Sequence, residues 1–262
     1  MRNLMIIMSM LVFVGCAHSQ QNATSPIKQA DFTVEKVGDG IYVHHGAHLD
    51  IDTGYQGDIC NLSFVVGSRG VAVIDTGGSL KVGQQLREAI RKITPLPVLY
   101  VINTHVHPDH IYGNAAFLAD KPQFIGHEKL ANAMATREEQ YAKLNLRLLG
   151  DEAKGSVLVK PTMAVKTTLE IDLGDRKLQL TAHPVAHTNT DVSLADSKTN
   201  TLFAGDLLFI ERTPVIESDI KGLIAALEQF KTGQFTQVVP GHGPVAKDWQ
   251  AAIDNALRYL NI

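Results

Sequence analysis

Residues 103–114 read NTHVHPDHIYGN, which puts three histidines and an aspartate into six positions directly after the apolar run 98–102. Buried polar side chains need partners. The chain must therefore fold so that His105, His107, Asp109 and His110 meet solvent, each other or a bound ion. Three further candidates recur in the same setting. His187 follows the strand-like run 177–182, Asp206 follows 201–205, and His242 follows 237–239 through Pro240-Gly241. Side chains at the carboxyl ends of neighbouring strands converge on one crevice, where open α/β sheets bind ligands. The fold must bring these strand ends to one edge.

The rest of the pattern fits such a fold. Residues 32–37 and 41–45 read as a hairpin around Gly38-Asp39-Gly40, and 62–66 with 71–74 as a second strand pair. Val82, Leu86, Ala89, Ile90 and Ile93 then follow one helical face, with Ser79 placed to cap it. Strand 98–102, helix, strand 123–125 and helix 128–149 form a parallel-sheet signature. Strands are expected at 168–173, 177–182, 192–195, 201–204 and 237–239. A helix beginning at Asp219 and a final helix carrying Trp249, Ile253, Leu257 and Leu260 complete the series. Mixed sheets inside and amphipathic helices outside imply a layered α/β sandwich. Residues 46–59, rich in Gly and Asp, read as a lid over a pocket.

Imidazole and carboxylate together suit zinc and similar divalent ions, and the lack of thiolates argues against a purely structural zinc site. Seven donors are too many for one tetrahedral ion and suit two that share a carboxylate. Two such ions would lower the pKa of a bound water from about 15.7 towards about 7, which implies hydrolysis.

THVHPDH, AHT, LFAGDLLF and VVPGH, with VAVIDTGG at 71–78, resemble the metallo-β-lactamase fold superfamily from about Phe32 to the end of the chain. The resemblance implies a four-layer αββα sandwich with metals at the shared edge of two sheets. It implies that His105, His107 and His187 hold one ion, that Asp109, His110 and His242 hold the other, and that Asp206 bridges. The expected cofactors are two Zn2+, with iron or manganese as alternatives. A hydroxide shared by the two ions would attack an ester, thioester, lactone or amide carbonyl, β-lactams included. Asp109 would be catalytic, orienting the nucleophile while ligating. RTPVIE at 212–217, paired with PGHGP, resembles the quinoprotein-relay and sulfur-oxidation-associated metallohydrolases, which often carry Trp where this chain has Leu223. True metallo-β-lactamases usually carry Cys or Ser at the position of Asp206. Two rival readings follow: a mononuclear iron enzyme like the persulfide dioxygenases, and a non-catalytic periplasmic accessory of a quinoprotein dehydrogenase system.

Composition closes off other classes. A net charge of −3 and no Lys/Arg run longer than two residues exclude a nucleic-acid partner held by phosphate contacts. Arg2, the apolar stretch 4–14 and Gly15-Cys16 read as an export signal. Residues 1–26 are thus signal and polar linker, and 27–262 a single domain. VFVGC resembles a lipoprotein box that would tether the chain to a membrane through lipidated Cys16; plain cleavage after Ser19 is the alternative. Either route places the protein in the bacterial periplasm or anchored at the outer membrane, acting on a small-molecule substrate. Cys60 reads as a buried, inert thiol. His183 reads as structural, His127 as a helix start or support for a ligand, and His44, His45 and His48 as ordinary strand and loop positions. Asp75 reads as hydrogen-bonding support for the ligand loop. Arg212 reads as a surface ion pair or as a grip on a substrate anion.

Overall fold

Short runs of aliphatic and β-branched residues become strands here because both of their faces find cover. A computed structural model describes residues 32–49, 51 and 54–261; the export pattern and Cys16 lie outside the described residues. Along the chain come β1 (Glu35–Gly38), β2 (Ile41–His44), β3 (Leu62–Val66), β4 (Val71–Ile74), α1 (Leu80–Ile93) and β5 (Val98–Ile102). Next are α2 (Pro108–Ile111), a 3-10 helix (Tyr112–Asp120), β6 (Gln123–His127), α3 (Leu130–Leu149) and β7 (Met163–Val165). Among the described residues these seven strands form one sheet in chain order, antiparallel from β1 to β4 and parallel from β4 to β7.

The second sheet holds β8 (Thr168–Asp172), β9 (Lys177–Ala182), β10 (Val192–Asp196), β11 (Thr201–Phe209) and β12 (Gln237–His242), in the order β12-β11-β10-β9-β8. Its strands are antiparallel except β11 and β12, which run parallel around the crossover helix α4 (Ile220–Lys231). Helix α5 (Trp249–Leu260) follows.

Alternation along each strand sorts the layers. Ala72, Ile74 and Ile102 pack with Leu178, Leu180, Leu194 and Phe203, so the two sheets share a central core. Their neighbours Val71, Val73 and Val101 point the other way, onto Val82, Leu86 and Ile90 of α1 and Phe117. On the far side Leu202, Ala204 and Val238 pack against Leu223 and Leu227 of α4 and Trp249 and Ile253 of α5. The result is the expected four-layer αββα sandwich. Ser79 caps α1 by accepting from the Val82 amide, and Asp219 caps α4 from Lys221.

Three local differences from the sequence reading stand out. The expected helix after β5 splits into one α-turn and a 3-10 segment, α3 starts at Leu130 rather than 128, and β7 was not anticipated. The first difference has a steric cause. Gly113, in the 3-10 segment, lies so close to α1 that a Cβ there would sit 1.9 Å from the Thr76 carbonyl oxygen and 3.0 Å from Gly83 Cα. Its amide donates to the Gly77 carbonyl at 2.9 Å. This contact fixes the turn that carries His110, whose carbonyl accepts from the Thr76 amide at 2.9 Å. Gly113→Ala should therefore lower the unfolding free energy by about 1–3 kcal/mol. Urea denaturation checks this, and an unchanged midpoint would refute the steric account.

Candidate metal centre

The seven candidate residues come from both sheets. His105 and His107 lie in the turn after β5, and Pro108 opens α2, which carries Asp109 and His110. His187 follows β9, and His242 is the last residue of β12. Asp206 departs from the sequence reading, because it lies inside β11 and not beyond its end. After an irregularity around Gly205, pairing with β12 resumes at Phe209↔His242 and prolongs the strand. Gly241 makes room for it: a Cβ there would fall 1.9 Å from Asp206 Oδ1. Asn61 ties the sheets together at this edge. Its amide donates to the Gly241 carbonyl at 2.7 Å, and its side chain donates to Pro240 and Gly243 carbonyls at 2.9 and 2.8 Å.

All seven side chains converge. His107 Nδ1 lies 3.0 Å from both His105 Nε2 and His187 Nε2, and Asp206 Oδ2 lies 3.6 Å from the former and 3.3 Å from the latter. Beside this group, His110 Nε2 lies 3.3 Å from Asp206 Oδ1 and 3.4 Å from Asp109 Oδ2. His242 Nε2 lies 3.5 Å from Asp109 Oδ2 and 3.4 Å from Asp206 Oδ2. A tetrahedral zinc ion with bonds of about 2.0–2.1 Å spaces its donors roughly 3.3 Å apart. Both groups match that spacing, and both contain Asp206. His110 Nε2 and Asp206 Oδ1 are buried without a hydrogen-bond partner, the condition expected of atoms that serve an ion.

The opposite ring nitrogens are all engaged, which turns each free lone pair inward. His187 Nδ1 donates to the Val215 carbonyl at 2.6 Å, and His242 Nδ1 to the Ile59 carbonyl at 2.8 Å. His110 Nδ1 donates to Asp75 Oδ2 at 2.8 Å, and His107 Nε2 to Glu217 Oε2. His105 Nδ1 meets the Thr104 hydroxyl at 3.0 Å, which itself donates to Asp75 Oδ2 at 2.7 Å. Asp75 thus supports two candidate ligands, and it does so from the left-handed region at φ 57°, a conformation that aspartate tolerates better than most residues. Glu217 also accepts from Arg137 of α3 at 3.1 Å.

Charge follows this layout. Burial holds His105 well below its ordinary pKa and brings His187 to about 4, against the pull of Asp206. Burial alone would raise Asp109, but His110 and His242 bring it down to about 2. Burial also opposes charge on His110 and His242; the anionic groups around them, Asp206 and Asp109 among these, outweigh it and raise both. The His107 hydrogen bond lowers Glu217 to about 2.

A cavity of about 850 Å3 opens over the cluster. Its described walls come from His48, Leu49, Ile51 and Ile59, from α3 through Arg137, Tyr141 and Leu144, and from residues 209–217. Arg212 makes backbone contacts that the sequence reading did not foresee. It donates to the Leu49 and Ala47 carbonyls at 2.9 and 2.8 Å and fastens one wall to another. The remaining described histidines stay out of the cluster. His44 pairs with Asp58 at 2.9 Å, His45 with Glu35 at 3.2 Å, and His48 lines the cavity. His127 accepts from the Lys129 amide at 3.0 Å at the start of α3, and His183 bonds Ser193 Oγ at 2.7 Å. Cys60 is buried, its thiol pushed up to about 12 by burial, and it donates to the Asp109 carbonyl at 3.0 Å.

Known proteins share this fold. A family model described as the metallo-beta-lactamase superfamily matches residues 55–259. Two curated relatives are each 26% identical: the linear primary-alkylsulfatase of Pseudomonas sp. (strain ATCC 19151) over 135 residues, and the beta-lactamase-like protein 2 homolog of Caenorhabditis elegans over 160. These alignments cover 50% and 61% of this chain but only 23% and 47% of the relatives, so the chain spans less than half the length of either. Among solved structures, the metallo-beta-lactamase from Pontibacter korlensis superposes with a TM-score of 0.70 at 20% identity, over 87% of this chain and 98% of that one. The IND-7 metallo-beta-lactamase gives 0.69 at 19% identity, over 90% and 100%. At such identities the structural likeness is one of fold, whereas the family model spans most of the sequence: the chain belongs to the metallo-β-lactamase superfamily.

Proposed function

We propose that this chain is a dinuclear, zinc-dependent hydrolase that cleaves a small-molecule carbonyl compound. The observation that supports this most directly is the pair of donor groups sharing Asp206 on the floor of an open cavity, with five imidazoles turned inward. His105, His107 and His187 would hold one ion, Asp109, His110 and His242 the second, and Asp206 both. When bound, such ions lower the pKa of a shared water towards neutrality and polarise the oxygen of the scissile group. The names of the curated and solved relatives, an alkylsulfatase and metallo-beta-lactamases, denote hydrolytic chemistry as well.

The protein's own groups have distinct tasks in this reading. Asp109 is the carboxylate that faces the cavity, 14% exposed beside the nearly closed Asp206, and in its ionised form accepts a hydrogen bond from the attacking water. Asp206 neutralises charge at the centre. Asp75, Glu217 and the Val215 and Ile59 carbonyls hold the imidazoles in the tautomers that leave a lone pair for the ions. The N-terminal pattern in residues 1–26 leads us to place the reaction outside the cytoplasm, with Cys16 as a tether if lipidated. A role beside a quinoprotein dehydrogenase system fits the same location.

Purified protein should carry two zinc ions per chain, and Asp206→Ala should retain at most one and lose activity at least about a hundredfold. Elemental analysis with ester and lactone assays decides this, and one iron per chain would overturn the zinc reading. Acid should strip the two groups in order. Imidazole ligates only when neutral, and His110 and His242 are raised while His105 and His187 are lowered, so a proton competes for the second group at higher pH. Metal content measured after dialysis at falling pH should therefore step from two to one before reaching none; simultaneous loss would contradict the assignment. Glu217→Ala should weaken zinc binding by about tenfold to a hundredfold at the first group only, measured by chelator competition.

A further inference from the structure

Beyond the candidate ligands, the described lining of the cavity offers few free charges. Among the described residues its charged lining, beyond the candidate ligands, is Arg137, Arg212, Glu211 and Glu217 together with His48 where protonated. Each arginine is already committed, Arg137 to Glu217 and Arg212 to two backbone carbonyls. The two glutamates cancel the two arginines and disfavour a second anion nearby. Gln140, Tyr141 and Thr213 add uncharged polar groups, and a separate apolar stretch is formed by Leu49, Leu144 and Phe209, joined by Ile51 and Val215. Those last two are 39% and 57% exposed, on separate segments, so the apolar lining continues from the floor out to the rim. An apolar surface of this kind, contiguous with a polar floor, marks a place where something apolar is covered on binding.

We infer that the substrate is a neutral ester bearing an unbranched apolar arm, with the ester over the metal-binding floor and the arm along the wall of Leu49, Ile51, Leu144, Phe209 and Val215. This rests on the hydrolase reading above and adds to it the shape and charge of what is cleaved. Ester cleavage consumes one water and yields a carboxylic acid and an alcohol, so no further reactant is required. The acid product is an anion, and a wall without an available cation has no hold on it.

Two measurements separate this inference from the reading it rests on. In the zinc-loaded protein, kcat/KM for p-nitrophenyl esters should rise about fourfold for each added methylene that is buried, hence at least roughly fifty-fold from acetate to octanoate with about three of the added methylenes buried. Leu49→Ser combined with Leu144→Ser should collapse the octanoate-to-acetate ratio towards one; because it is a ratio, it does not depend on how much of the variant folds. A rate that is flat with chain length, or faster with a carboxylate-bearing ester than with its neutral analogue, would overturn the inference and leave the hydrolase standing. The second measurement needs no turnover: 1-decanol should displace the neutral fluorophore N-phenyl-1-naphthylamine from the wild type, and at least tenfold more weakly from the double variant. Displacement without hydrolysis of any ester would support the apolar wall while sinking the hydrolase. No displacement from the wild type would overturn the inference.

Discussion

Everything at the site depends on one carboxylate being held among imidazoles. Asp206 lies within 3.3–3.6 Å of nitrogens from His105, His110, His187 and His242. A buried aspartate is costly without compensation, and His110 and His242, both raised by the anionic groups around them, offer it when protonated. Divalent ions would offer it too, and one Asp206 oxygen turns to His110 while the other turns to His105, His187 and His242, as a shared ligand would require. The backbone had to be shaped for this. Asp206 sits in a strand that loses register around Gly205 and regains it at Phe209, and Gly241 on the neighbouring strand has no side chain to occupy its space.

Holding five histidines at the distances of a first coordination sphere is equally demanding, because an unanchored ring can rotate to pair with its neighbour. Each anchor removes that freedom from the side away from the centre. Asp75 does it for His110 directly and for His105 through Thr104, whose amide it also binds at 2.8 Å. The left-handed backbone at Asp75 is part of the same arrangement. Strain at one residue places a carboxylate under two ligands, and the amide of Asp75 is kept in the sheet by the Ile102 carbonyl at 2.8 Å.

These facts also explain which parts of the site were legible in the sequence. The seven converging side chains were visible because their types and their positions after apolar runs are both local signals, and the layers were visible because period-two and helical periodicities are local too. The anchors were harder to find. Two of the five are backbone carbonyls, at Val215 and Ile59, and a carbonyl leaves no trace in residue type. Asn61 meets residues 179 and 182 positions away, which no local pattern can foresee. The two carbonyls that Arg212 meets, at Ala47 and Leu49, were out of reach for the same reason. The three-residue strand β7 is too short to carry a period and exists because β6 offers it an open edge.

The segment 209–217 links the two halves of the site. Phe209 and Val215 line the cavity, yet the Val215 carbonyl orients His187, Glu217 orients His107 and Arg212 fastens the 46–49 wall. Substrate fit and metal affinity are therefore coupled through one stretch of chain. A substitution that reshapes this wall for a different substrate also shifts the carbonyl or carboxylate behind a metal-facing ring, at a cost in ion binding. Helix α3 carries less of this burden: Leu144 and Tyr141 touch the cavity, while only Arg137, acting through Glu217, reaches a ring of the cluster. Specificity can thus change with least penalty on α3, and the superfamily's common floor can serve different substrates where the walls are free of the metals.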